Sequence, residues 1–125
     1  MKKILMIVML FVGVASVASA QAEIRFDKLT HNFGTFPESN ATREATFTFT
    51  NTGNQPLVIN QVVASCGCTV PSYDKKPIAP GQKGTIDIKY NGKGKFPGHF
   101  KKSITVRSNA KTEMVRLYIE GEMTE

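Results

Sequence analysis

The sequence predicts an all-β fold, an immunoglobulin-like antiparallel β-sandwich of about seven strands preceded by a signal peptide. Short segments alternate apolar and polar residues at period two, which is typical of strands that bury one face. Turn-forming residues separate these segments roughly every 8–12 residues, as they do in sandwiches. No segment shows the apolar period of an amphipathic helix, so neither a helical nor an α/β fold is expected.

The N-terminal stretch has the three parts of a secretory signal peptide. A basic start precedes an apolar run over residues 4–17, and the small residues 18–20 form a cleavage site. The apolar run is short for a membrane span, and no cysteine follows it to carry a lipid anchor. We therefore expect residues 1–20 to be removed near Ala20. Residues 21–125 are then one domain, with no transmembrane segment, exported to the periplasm or the extracellular space.

Residues 23–64 are expected to supply four strands. Residues 23–27 alternate apolar and charged side chains, and residues 31–37 place two phenylalanines around a glycine before a turn. Residues 43–52 form the clearest strand, with small and aromatic residues on one face and threonines on the other. Residues 56–64 are partly apolar on both faces, so this strand is expected inside a sheet.

The second half of the domain is expected to begin with an irregular crossover. Residues 69–82 contain three prolines and no helical period. Three alternating strands follow at 84–90, 100–108 and 112–120, separated by turns rich in glycine and asparagine. The two cysteines are neighbours, so no disulfide joins the sheets and the core depends on apolar packing. The predicted core residues are Phe47, Phe49, Leu57, Ile59, Ile86, Ile88, Ile104, Val106, Leu117 and Ile119.

Charge excludes one class of function and leaves another open. The formal net charge of +6 includes Lys2 and Lys3 of the predicted leader, so the exported domain is only mildly basic. This is too little for a nucleic-acid-binding protein, and lysine-rich solubility is the simpler interpretation. A weak polyanion-binding patch around one glycine-rich hairpin is the alternative. Its members would be Lys93, Lys95, Lys101 and Lys102.

The chain has only two cysteines, separated by one glycine in the loop Ser65-Cys66-Gly67-Cys68-Thr69. Exported cysteines usually pair, and a positive φ at Gly67 would turn the chain enough to bring them together. A three-residue ring contributes little stability, roughly 1.6 kcal/mol in the chain-entropy model. Cys66 and Cys68 are therefore a candidate disulfide or redox pair, and a bond between them would not be the main source of the stability of the fold.

Three interpretations of Cys66 and Cys68 remain open. In the first, a local cystine or two thiols rigidify the loop, with Ser65, Gly67 and Thr69 in support. In the second, a strained cystine exchanges with other thiols. In the third, two thiolates bind a soft ion such as Cu(I). Elsewhere no catalytic residue, metal-ligand set or cofactor site is recognisable, so we expect neither an enzyme nor a bound cofactor.

Several of these motifs together resemble a known family. They are Asn32-Phe33-Gly34-Thr35-Phe36, Phe47-x-Phe49-x-Asn51-Thr52-Gly53, Pro56-Leu57-Val58-Ile59, the cysteine loop, Pro80-Gly81, and Ser108-Asn109 with Gly121. The sequence is similar to the bacterial, exported domain-of-unknown-function 1573 family, which resembles the Ig-like domains of ASPM, SPD-2, Hydin and major sperm protein. The resemblance implies the fold and export, and it carries no activity. By analogy it favours protein interaction.

The favoured hypothesis is an exported, non-enzymatic Ig-like module that binds another envelope or extracellular component. The alternative is a thiol–disulfide redox or soft-metal (copper) binding protein that acts through Cys66 and Cys68. The sequence identifies no partner for either function.

Overall fold

The computed structural model describes residues 20–125, so the predicted signal peptide lies outside the described residues apart from Ala20. Within this range the chain forms eight strands and one short 3-10 helix, Glu38–Asn40. The strands are β1 (Ile24–Phe26), β2 (Thr30–Pro37), β3 (Thr42–Asn51), β4 (Ile59–Ala64), β5 (Thr69–Tyr73), β6 (Lys83–Asn91), β7 (Gly98–Ser108) and β8 (Met114–Thr124). No helix in this part of the chain has the length and hydropathy needed to cross a membrane.

The strands form two four-stranded sheets that enclose a common core. One sheet has the order β1-β3-β6-β5 and the other has the order β2-β8-β7-β4. The consecutive strands β1 and β2 lie in different sheets, so the start of the domain supplies one edge strand to each. The predicted Ig-like sandwich is confirmed. The ladder between β2 and β8 is parallel, whereas the other ladders between these strands are antiparallel as expected.

Two expectations about individual segments are wrong. The expected crossover contains β5, which pairs with β6 from Thr69 opposite Tyr90 to Tyr73 opposite Ile86. Its Pro71 is tolerated because β5 is an edge strand, where a missing N–H need not break a ladder. The strand expected inside a sheet, β4, is also an edge strand and pairs only with β7. Its exposed outer face shows that the apolar run did not require burial on both sides.

The predicted core is confirmed, since all ten residues named from the alternation are buried. The structure adds an aromatic layer at the end of the sandwich near the β6–β7 turn. In this layer the rings of Tyr90 and Phe100 stack with centroids 4.5 Å apart, and Phe36 contacts Phe100 edge-on at 5.9 Å. The Arg43 guanidinium covers the Phe36 ring at 4.4 Å. Burial also raises the pKa of Tyr90 above its ordinary value.

A buried amide joins the start of the domain to two turns. The Asn51 side chain is fully buried. Its Nδ2 donates to the carbonyl oxygens of Gln55 at 2.7 Å and Ile78 at 2.9 Å. Its Oδ1 accepts from the N–H groups of Gly53 at 2.9 Å and Glu23 at 3.4 Å. This residue of the Phe47-x-Phe49-x-Asn51-Thr52-Gly53 motif is therefore a structural clamp.

Candidate functional site

The cysteine loop is the connection between the two sheets at their free edges. It leaves β4, the edge of one sheet, and enters β5, the edge of the other. Ser65 extends the β4 ladder, since its N–H donates to the Ser103 carbonyl at 3.0 Å and its Oγ accepts from the Ser103 N–H at 3.2 Å. At the other end the Cys68 carbonyl accepts from the Asn91 N–H at 2.9 Å. Both ends of the loop are therefore attached to the sandwich.

The structure brings the two cysteines together inside this loop. Their sulfur atoms lie in contact, and their Cα atoms are 5.2 Å apart, within the range that a disulfide requires. The Cys68 N–H donates to the Cys66 sulfur at 3.0 Å, and the Thr69 N–H donates to the Cys66 carbonyl at 3.2 Å. These bonds form a tight turn that holds the sulfurs side by side, and both cysteines are partly buried.

Gly67 does not play the role expected from the sequence. Four glycines among the described residues have a positive φ, and Gly67 is not one of them. A Cβ atom at Gly67 would meet no neighbouring atom within 4 Å. The turn is closed by hydrogen bonds to the sulfur and carbonyl of Cys66, and these bonds need no left-handed residue. Gly67 instead leaves the tip of the loop narrow and exposed.

Neither histidine contacts the sulfur pair. The Nδ1 atom of His31 lies 2.7 Å from Nζ of Lys28, and Nε2 of His99 lies 3.6 Å from a Glu120 carboxylate oxygen. Burial and the charge of Lys28 lower the pKa of His31, which favours the neutral ring. Within residues 20–125 no group of three or more His, Cys, Asp and Glu side chains is placed to hold a metal ion. The sulfur pair is therefore not extended by a third protein ligand in this part of the chain.

The two edge strands that flank the loop differ in how well they are protected. In β5 the bond from Asn91 to Cys68 makes Thr69–Tyr90 a non-hydrogen-bonded pair, so residues 69, 71 and 73 turn their backbone groups outward. Residue 71 is a proline and the Thr69 N–H is used inside the loop, so only Tyr73 keeps a free donor. An edge depleted of donors is a poor template for another strand.

The free edge of β4 lacks this protection. The bond from Ser65 to Ser103 makes these residues a hydrogen-bonded pair, so Val62 and Ala64 direct their N–H and C=O groups away from β7. The strand Ile-Asn-Gln-Val-Val-Ala contains no charge and no proline. Val63 also exposes 46% of its surface on the outer face. Charges, prolines and bulges are the usual protection of edges, and only a bulge next to Asn60 is present here.

The other edges of the sandwich are short or irregular. On the first sheet β1 has three residues, and the β2 ladder on the second sheet changes register between Asn32 and Thr35. Gly34 occupies this irregularity with a φ of +76°, and Pro37 ends the strand. Among the described strands, β4 is thus the edge most open to pairing with an added segment.

A shallow groove of about 480 Å³ lies on the outer face of β3, β6 and β5. Within it the Thr46 hydroxyl donates to Asp87 at 2.9 Å, and Nζ of Lys89 lies 3.9 Å from a Glu44 carboxylate oxygen. These polar groups therefore pair across neighbouring strands. The groups of a catalytic site converge on one centre, and these do not.

The four lysines of the predicted polyanion patch fall into two groups. Lys93 and Lys95 lie in the exposed loop between β6 and β7, whereas Lys101 and Lys102 are consecutive in β7 and therefore point to opposite faces. Nζ of Lys101 lies 5.0 Å from the Tyr118 ring centroid. Phe96, which was not singled out from the sequence, is 96% exposed in the same loop as Lys93 and Lys95. The sequence does contain a signal for this exposed ring, since a single aromatic residue stands between a lysine and a proline in a glycine-rich turn.

The model of a family described as "Protein of unknown function (DUF1573)" matches residues 24–123 of this chain. The chain belongs to this family. The matched region runs from β1 into β8 and includes the cysteine loop, so the resemblance inferred from the motifs is confirmed. No curated protein matches the sequence.

Solved structures with low sequence identity share the fold of this family member. A protein of unknown function from Porphyromonas gingivalis W83 aligns with a TM-score of 0.70 at 17% identity, covering 86% of this chain and 50% of that one. The chain thus spans about half the length of that protein. The ASH/PapD-like domain 7 of human CEP192 aligns with a TM-score of 0.62 at 11% identity, covering 92% and 94%.

A third structure, the periplasmic chaperone SfaE, aligns with a TM-score of 0.56 at 11% identity, covering 80% of this chain and 56% of the chaperone. Together the three likenesses show the Ig-like, PapD-like sandwich and agree with the resemblance inferred from the motifs.

Proposed function

We propose that this chain is an exported, non-enzymatic binding module that takes up an extended segment of another envelope or extracellular protein along the free edge of β4. The observation that supports this most directly is the unprotected edge itself. An added strand bonds to outward backbone groups and gains specificity from side chains at alternate positions. Val62 and Ala64 supply such backbone groups, and Val63 supplies an exposed apolar contact.

The cysteine loop has a defined part in this proposal. It begins where β4 ends and attaches the last residue of the ladder, Ser65, to Ser103. Fixing the loop restricts the conformations of the β4 end, so less order must be gained when a partner binds. In this role Cys66 and Cys68 shape the site and perform no chemistry. The similar fold of SfaE, a periplasmic chaperone, supports a protein-binding role by analogy only.

In-cell photo-crosslinking tests the proposal. A photoreactive residue at the exposed position Gln61 on β4 should give a discrete protein adduct, and one at the exposed position Ser72 on β5 should not. The substitution Val62→Pro removes an outward N–H without removing a bond to β7, so it should lower the Gln61 adduct at least severalfold in a folded protein. Equal adducts at Gln61 and Ser72, or an adduct that survives Val62→Pro, would refute the binding mode.

Thiol–disulfide exchange through Cys66 and Cys68 is the second candidate function. It is favoured by the contact between the sulfurs in a loop whose tip, Gly67, is exposed. Thiol counting and a measured reduction potential on the protein from its native compartment test it. A potential far below that of the compartment, with no bound copper by mass spectrometry, would exclude both the redox and the soft-metal forms of this candidate.

A further inference from the structure

The loop between β6 and β7 presents a feature that the proposed function does not use. Phe96 exposes 96% of its surface, the highest fraction among the large apolar side chains of the described residues. Lys95 precedes it, Pro97 follows it, and Lys93 lies three positions before it, all exposed. One exposed apolar residue needs no partner by itself, so what distinguishes Phe96 is the pair of lysines beside it and the hydrogen-bonded loop that carries it.

The exposure of Phe96 does not arise from a loop without structure. The Lys93 N–H donates to the Asn91 side chain at 2.9 Å, and the Lys95 N–H donates to the Gly92 carbonyl at 2.9 Å. Gly94 has a φ of +82°, a left-handed conformation that favours glycine, and its N–H donates to a Glu38 carboxylate oxygen at 3.3 Å. The loop therefore has a defined shape that carries the ring outward.

The loop is also anchored to the sandwich at its base. Gly92 is buried, and a Cβ atom there would lie 3.0 Å from the Met123 sulfur and 3.1 Å from the Tyr90 ring. Its N–H donates to the Ala41 carbonyl at 3.1 Å. The base therefore packs against the core, and the tip, residues 93–97, projects from it into solvent.

We propose that this protrusion, residues 93–97, inserts into the surface of a bilayer that contains anionic lipid. Residues 93–97 are all exposed and carry one aromatic ring and two cations, and the carboxylate that contacts them is that of Glu38, through the Gly94 N–H. Aromatic rings are favourable in the interfacial region, and lysines beside them are attracted to anionic head groups. An exposed ring between lysine and proline can enter a deformable bilayer directly, whereas a protein would need a pocket with acidic walls that fits the ring.

This inference does not depend on the β4 edge, which belongs to a different strand and can be inactivated separately. One ring and two lysines make a weak anchor, comparable to an interfacial contact and far from an inserted helix. Phe96 contributes on the order of tenfold in partitioning, and each lysine about fivefold on an anionic surface. The attraction through Lys93 and Lys95 should weaken as ionic strength rises.

Co-sedimentation of the purified full-length mature protein with vesicles tests the proposal. Phosphatidylcholine vesicles with added phosphatidylglycerol should bind the protein, and vesicles of phosphatidylcholine alone should bind it far less. Phe96→Ser should lower binding about tenfold, while Leu29→Ser, an exposed apolar residue outside the β6–β7 loop, should leave it unchanged. Lys93→Gln with Lys95→Gln should lower binding more than the charge-matched pair Lys75→Gln with Lys76→Gln.

The absence of tryptophan from the sequence allows a second, direct measurement. Phe96→Trp places the only indole at the tip, and its emission should shift to the blue on phosphatidylglycerol vesicles and return at high salt. The near-complete exposure of Phe96 means that none of these tip variants should alter the far-UV circular dichroism spectrum. Equal binding to both vesicle types or unchanged Trp emission would overturn the proposal. A photoreactive residue at position 96 should crosslink to lipid, and a crosslink to protein instead would also overturn it.

Discussion

Replacing Asn51 by alanine should be among the most destabilising single substitutions in this domain. Asn51→Ala removes the side-chain partner of the Gln55 carbonyl and of the Gly53 and Glu23 N–H groups at a partly buried site. The Ile78 carbonyl also loses the Asn51 amide but keeps its hydrogen bond from the Leu57 N–H. Three of the four hydrogen bonds have lengths of 2.7–2.9 Å, and the 3.4 Å bond from Glu23 contributes little.

The expected magnitude follows from these groups. Each of the three short bonds contributes about 1 kcal/mol net, and each buried group left unpaired adds a desolvation cost. We therefore expect Asn51→Ala to lower the free energy of unfolding by about 2–4 kcal/mol, a large share of the roughly 5–15 kcal/mol of a typical domain. Asn51→Asp retains the acceptor but sets a carboxylate against two carbonyl oxygens, so it should cost at least as much at neutral pH.

Urea unfolding of the mature protein, followed by circular dichroism, measures this effect. Asn40→Ala is the matched control, because Asn40 is exposed and its side chain makes no hydrogen bond among the described residues. It should change the free energy of unfolding by less than about 0.5 kcal/mol. If Asn51→Ala costs under about 1 kcal/mol at an unchanged m-value, the clamp does not have the role assigned to it.

Three further expectations concern other parts of the domain. Gly53→Ala should destabilise it by about 1–3 kcal/mol, measured by thermal melting, because the new Cβ would collide with the backbone of residues 21–23; a melting temperature equal to the parent's would contradict this close approach. Replacing both Cys66 and Cys68 by serine should cost no more than roughly 2 kcal/mol in urea unfolding, since a three-residue ring restricts the unfolded chain little; a larger loss would make the pair a main staple. Partial burial opposes ionisation of Glu23, but hydrogen bonds to its carboxylate outweigh this and lower its pKa below 4.5. The ionised Glu23 therefore stabilises the fold above pH 4.5, and this contribution is lost as the pH falls through the folded-state pKa. Glu23→Gln should flatten that part of the stability–pH curve, and a curve identical to the parent's would exclude the effect.

The candidate site was only partly predictable. The sequence marked residues 65–69 because two cysteines around one glycine are unusual, and the structure does bring the two sulfurs into contact. The conformation expected of Gly67 was wrong, because many hydrogen-bonding patterns close a short turn and only the folded structure shows which one is used. Phe96 was missed, since exposure of a single ring depends on how the surrounding loop is anchored.

The sequence by itself determined the class of fold and the composition of the core. A side-chain period of two is a local property of extended backbone, so alternation alone identified buried residues such as Phe47 and Ile104. The family could also be recognised from the sequence, because its motifs are short local stretches of the chain.

Only the tertiary structure decided which strands are neighbours, and the proposed function depends on that. Strand β5 was hidden by Pro71, which is tolerated at an edge, and the parallel pairing of β2 with β8 joins segments from opposite ends of the chain. Whether the outward N–H of Val62 meets a strand or solvent is likewise a matter of sheet order, which local sequence does not encode. The open edge at β4 is visible for this reason only once the two sheets are assembled.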